Sequence, residues 1–143
     1  CRQNGTTMIE ILVAMVVVGV GLLGHANLIA QSAKANQTAY LRSQVTLLTY
    51  DITERLRLNR KLATAGSFNI NYDTPVPENS AEIQHVELRD WLASVADALP
   101  AGDGKINVDG TGNVTVEIRW EEVLNRDANG GLTPTMFTTQ SVI

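Results

Sequence analysis

Cysteine is almost missing from this chain. Cys1 is the only one in 143 residues, so no internal disulfide can close and no thiolate cluster can hold a metal. Histidine is nearly as scarce, and His25 and His85 lie too far apart in sequence to suggest a zinc site. His85 is expected to have a surface or capping role. Aromatics make up only 5% of the residues, and charge is thin and scattered: 11 Lys and Arg against 15 Asp and Glu, a formal net charge of −4. Nucleic-acid binding rewards a clustered basic surface, and none is present. No Gly-rich phosphate loop, nucleophile elbow or nucleophile–histidine–carboxylate set occurs either, so no cofactor is expected and an enzyme is not. The chain does not begin with Met, and its natural N-terminus is expected upstream.

Two further absences are informative because of where they fall. From Ile11 to Ala33 there is no Asp, Glu, Lys or Arg. At about 1.5 Å per residue that stretch makes a helix of roughly 35 Å, enough to cross a hydrocarbon core. Its centre, ILVAMVVVGVGLLG, is apolar on every side, while His25, Asn27, Gln31 and Ser32 make the exit gradual. Arg2 before the span and Lys34 after it give only a weak orientation signal. Proline is also missing until Pro75, and glycine is missing between Gly24 and Gly66. Nothing there breaks a helix. Leu41, Val45, Leu48, Ile52 and Leu56 recur at helical spacing as one apolar stripe, with Asp51 and Arg55 as an i,i+4 pair beside it. A cleaved secretory signal, for which AQSAKA would be the processing site, has no reason to continue in phase into an amphipathic helix. One helix from about Thr7 to Ala65 is therefore expected, residues 6–33 apolar and 34–65 amphipathic.

The texture changes after Gly66. GSFNINYDTPVPENS, with Pro75 and Pro77, reads as a loop. A short amphipathic helix is expected from Ala81 to Ala98, with Leu88, Trp91, Leu92, Val95, Ala96 and Leu99 on one face and Pro100 ending it. KINV and VTVEIRW flank DGTGN, a tight reversal between strands. Val114, Val116, Ile118 and Trp120 alternate with polar residues, so one face is buried. NRDANGG is a second turn, and LTPTMFTTQSVI a final strand whose Pro134 suggests an edge or a strand start. Asp103, Asp109 and Asp127 sit in Gly- and Asn-rich turns; calcium is conceivable there, but neither turn matches a twelve-residue calcium loop, and turn chemistry explains them. The expected fold class is α+β, with a small antiparallel sheet in residues 66–143 packed on the second half of the long helix.

One feature of the apolar helix is out of place: Glu10 stands at its head. A charge at membrane depth costs a few kcal/mol on insertion scales and usually has a partner. A Gly, then Glu at the fifth following position, then an apolar helix, resembles the class III signal of type IV pilins and pseudopilins. On that resemblance residues 1–5 are the remnant of a leader. Gly5 is the residue before the cleavage point, and Thr6 the first and N-methylated residue of the mature chain. The family usually has Phe or another apolar residue at that position. Glu10 is the glutamate that meets the methylated N-terminal amine, its own or a neighbour's. Gly19, Gly21 and Gly24 read either as close helix packing or as points where the helix can soften on leaving lipid.

MIEILVAMVVVGVGLLG together with RSQVTLLTYDITERLRLNR, ELRDWLASVADALPAGDGKINV and VTVEIRW is similar to the PilV family of minor pilins. The resemblance implies the type IV pilin fold and a subunit that helps to prime pilus assembly within a tip complex. It implies as partners the prepilin peptidase, other minor pilins, a tip adhesin, the major pilin and, before assembly, inner-membrane lipid. It places the protein in the inner membrane with a periplasmic head, then in the pilus. A minor pseudopilin of type II secretion has the same physics, and a single-span protein with a ligand-binding head would need neither Gly5 nor Glu10.

Overall fold

The computed structural model describes residues 7–126 and 131–143, with the side chains of 123–126 left out of the description. The elements follow in the order α1 (Met8–Leu58), α2 (Arg60–Thr64), α3 (Ile83–Ala98), β1 (Asp103–Val108), β2 (Asn113–Arg126) and β3 (Leu132–Val142). A long apolar helix followed by a small antiparallel three-stranded sheet is consistent with the type IV pilin fold. The chain divides into two compact units, one running to Gln37 and the other from Thr38 to Ile143; α1 contributes to both.

In the first unit α1 is helical from Met8 onward without interruption. Its large apolar side chains, among them Met8, Ile9, Leu12, Val16, Val20 and Leu23, are exposed. It is the one helix among the described residues long and apolar enough to cross a membrane.

In the second unit the expected stripe forms the helix side of the core. Leu41, Val45, Ile52 and Leu56 are buried, and Leu48 is partly buried against the same cluster. Arg55 Nε donates to Asp51 at 2.9 Å as the i,i+4 spacing requires, and the same guanidinium also reaches Glu87 on α3. The helix does not run to Ala65. It stops at Leu58 because Asn59 leaves helical backbone geometry (φ −111°, ψ 33°); the Asn59 amide and side chain both donate to the Arg55 carbonyl, at 3.1 and 3.0 Å. A five-residue helix, α2, follows.

The helix α3 begins at Ile83 rather than Ala81, since its N-cap Glu82 is extended (φ −64°, ψ 134°). Leu88, Trp91, Val95 and Leu99 are buried as expected. Leu92 is half-buried, and Ala96 is exposed: Ala98 packs against the core instead. Leu99 ends the helix in an extended conformation, as the residue before a proline prefers.

The sheet order is β1-β2-β3, antiparallel throughout. Val114, Val116, Ile118 and Trp120 of β2 are buried, with Ile106 and Val108 of β1 on the same side. The strand β2 outruns the expected segment and includes Asn125 and Arg126, assigned above to a turn; a bulge interrupts its pairing with β3 between Glu121 and Arg126. β3 is an edge, which accommodates Pro134.

Because the apolar helix half shares no core with the second unit, a fragment starting at Lys34 or Thr38 is expected to be soluble, monomeric at micromolar concentration and folded. Circular dichroism should show helix and strand together. An insoluble fragment, or one without strand signal, would contradict the two-unit organisation.

Candidate functional site: the N-terminal helix and its head

The first turn of α1 is built by the Thr7 carbonyl, which accepts from the Glu10 and Ile11 amides at 3.0 and 3.3 Å. Glu10 is thereby fixed on the first turn of a helix, where an anion complements the positive end of the dipole. It lies along one side of the helix with Ile11, Ala14, Met15, Val18, Gly19 and Leu22, which line a shallow, almost wholly apolar groove. Among the described residues no cation pairs with Glu10. Gly5 and Thr6, the expected cleavage and methylation positions, lie outside the described residues, as does Cys1.

Gly19, Gly21 and Gly24 are regular α-helix, and a side chain at any of them would meet nothing within 4 Å. The subunit itself gives no packing reason for these glycines.

The Asp-rich turns of the head behave differently from one another. The Asp109 carboxylate accepts from the Thr111 hydroxyl and amide and from the Asn113 amide and side chain at 2.7–2.9 Å. The bonds from Thr111 and Asn113 hold the carboxyl well below the usual carboxylate range,. These are turn bonds, which close the β1–β2 hairpin. Asp103 is not a turn residue in this sense: it opens β1 and accepts from Arg119 Nη2 at 2.9 Å and from the Asp73 amide at 2.8 Å. Arg119 also stacks on Tyr72, 4.4 Å from the ring centre. Tyr72 in turn donates to Glu117. Burial, then the Glu117 charge, pushes the Tyr72 hydroxyl up to about 12. This network straps the loop after α2 to the outer face of the sheet. Asp127 lies outside the described residues. Among the described residues no group of three or more His, Cys, Asp or Glu is placed to hold a metal ion. His85 sits at the start of α3, 2.8 Å from the Ser80 hydroxyl and 3.3 Å from Glu82.

A long N-terminal helix, apolar for its first half with a carboxylate in its first turn, and a small antiparallel sheet are the features expected of a membrane-anchored, pilin-like protein. Consistent with this, residues 1–24 match the family model described as the prokaryotic N-terminal methylation motif; the match covers the signal and the start of α1, not the head. No curated protein and no solved structure matches the chain. A prepilin N-terminus implies processing by a prepilin peptidase and assembly with other pilins.

Proposed function

We propose that this chain is a minor type IV pilin of the PilV type. It waits in the inner membrane with its head in the periplasm and, with other minor pilins, a tip adhesin and the major pilin, primes the filament and becomes part of its tip. It has no catalytic role of its own. The single observation that supports this reading most is the match of residues 1–24 to the methylation motif, with Gly5 and Glu10 at the required separation. In this mechanism cleavage after Gly5 creates the N-terminal amine of Thr6, methylation follows, and the new cation supplies the partner that Glu10 lacks within its own helix. The apolar groove beside Glu10 then receives a neighbouring helix. The residual polarity of Asn27, Gln31 and Ser32 eases withdrawal from lipid, and the glycines let the helix adapt as it does so.

The testing experiment is replacement of Gly5 by a bulky residue such as Phe. The variant is expected to remain an uncleaved, membrane-bound precursor absent from sheared pili. A mature Thr6 N-terminus in that variant would show that cleavage lies elsewhere. A gene neighbourhood of type II secretion components, in place of pilus components, would favour a pseudopilin.

A further inference from the structure

A three-stranded sheet has two edges, and this one protects only the first. Along β1, Ile70 exchanges two backbone hydrogen bonds with Ile106 at 3.0 Å, and the Asn69 side chain holds both the amide and the carbonyl of Val108. Along β3 the described residues supply no such cover. The Ile143 amide donates to the Gly112 carbonyl, and pairing alternates along an antiparallel ladder. Met136, Thr138, Gln140 and Val142 therefore turn their backbone groups away from β2. Between Met136 and Val142 there is no charge, proline or pairing irregularity, so none of the common devices that blunt an edge operates there.

The core is also unfinished beside this edge. Val114, Val116 and Ile118 of β2 are buried, whereas their β3 neighbours Phe137, Thr139 and Ser141 are half-buried. A groove of about 310 Å³ lies between these and Thr46, Thr49, Tyr50 and Thr53 of α1. The hydroxyls on its helix wall are spent internally: Thr46, Thr49 and Thr53 donate to the Arg42, Val45 and Thr49 carbonyls at 2.8–3.0 Å. What that wall offers a neighbour is threonine methyl groups and the exposed Tyr50 ring, with Phe137 across from them.

One end of the groove is basic. Arg57 lines it, donating to Ser141 at 3.4 Å and to Glu54 at 2.5 Å. Arg60 reaches the same end of β3: its Nη2 lies 3.8 Å from where a Cβ on Gly112 would stand, beside the Ile143 carbonyl. Lys61 follows it on α2, and both are exposed. Among the described residues neither has a carboxylate partner, so Arg57, Arg60 and Lys61 share one carboxylate side chain, Glu54, in a chain of net charge −4. The carboxylates that lack a cation, Asp90, Asp97 and Glu121, lie on α3 and towards the other end of β2.

We infer that the β3 edge and its groove accept an extended segment of a partner protein as a fourth strand, apolar at alternate positions and acidic at the end beside Val142. The outward amides and carbonyls of Met136, Thr138, Gln140 and Val142 give such a segment about eight backbone hydrogen bonds. In strand addition the backbone supplies affinity and the pockets for alternate side chains supply specificity. Every second side chain of the segment faces the same way as Phe137, Thr139 and Ser141, and so enters the groove against methyl groups and aromatic rings. The acidic end meets Arg57, Arg60 and Lys61, a complementarity that selects the partner and its register. A second copy of β3 does not fit this description, because LTPTMFTTQSVI contains no carboxylate side chain and would leave those cations unmatched. The edge, the groove and the cations all belong to the Thr38–Ile143 unit, so the inference stands apart from the prepilin reading.

The test uses the full-length chain in detergent and two synthetic peptides of alternating valine and threonine, one headed by a pair of glutamates and the other by a pair of lysines. Fluorescence anisotropy of the labelled peptides should show the lysine-headed one binding about tenfold more weakly or worse. Arg60→Glu combined with Lys61→Glu should reverse that order, while Thr138→Pro, whose amide is not part of the β2 ladder, should weaken both peptides. Hydrogen exchange should slow at the Met136, Thr138, Gln140 and Val142 amides when the glutamate-headed peptide is added. Unchanged exchange at those amides, equal binding of the two peptides, or an order indifferent to the charge reversal would overturn the inference. So would protection of the same amides by raising the concentration of the chain alone, which would make a second copy the occupant.

Discussion

Glu10→Gln is expected to be inserted and cleaved normally yet to be lost from filaments. Gln is less costly than an unpaired carboxylate at membrane depth, so the membrane pool should be undiminished or larger. The amide cannot attract the methylated amine of a neighbour, an attraction that is much stronger in a low-dielectric setting than in water. Mature protein should therefore accumulate in the inner membrane while sheared pili contain at least tenfold less of it. Glu10→Asp should be intermediate, because it keeps the charge but shortens the reach. Sheared-pilus proteomics beside a membrane-fraction immunoblot reads both quantities. Normal incorporation of the Gln variant would reduce Glu10 to an interfacial residue that merely reaches the headgroups.

The largest stability effects should come from the contact between Trp91 and Gly104. Trp91 is fully buried, its indole N–H donates to the Leu48 carbonyl at 2.9 Å, and a Cβ on Gly104 would lie 2.2 Å from the ring. The ring thus rests directly on the β1 backbone and ties α3, α1 and the sheet together. Gly104→Ala drives a methyl into that ring, and overpacking of this kind costs about 1–3 kcal/mol or more. Trp91→Ala leaves a large cavity and strands the carbonyl contact, with an expected loss of about 3–5 kcal/mol. In the Thr38–Ile143 fragment either change should lower Tm, by about 15 °C or more for Trp91→Ala. A double variant should be less destabilised than the sum of the two single ones, since the added methyl then enters the vacated space. Strict additivity would mean that the two residues do not act through each other.

Much of this architecture was legible in the sequence because its signals are periodic and local. The stripe from Leu41 to Leu56 and the alternation from Val114 to Trp120 each state their element and buried face within a dozen residues. What escaped is carried by residues whose role depends on distant partners. Thr49 and Thr53 are buried although they read as polar, because their hydroxyls return to the Val45 and Thr49 carbonyls at 2.8 Å. Asn59 ends α1 through a backbone conformation that composition does not announce. Ala96 and Ala98 exchange places because alanine weighs little in any hydrophobic pattern. Ile70, in a stretch read as loop, closes the β1 edge only once Ile106 lies beside it. Gly104 looks like a turn glycine until Trp91 is set above it. At the N-terminus the candidate site is a short linear motif, so Gly5, Thr6 and Glu10 could be named from sequence. The open β3 edge could not, since it depends on which strand finds no neighbour.

The central claim is that this chain is a processed prepilin, and intact-mass and N-terminal peptide mass spectrometry of the protein isolated from cell membranes tests it most directly. The account predicts a mature chain that begins at Thr6, lacks everything through Gly5 and carries one added methyl group on its N-terminal amine. A chain that retains Gly5, or one that begins at Thr6 with an unmodified amine in cells whose other pilins are methylated, would contradict it.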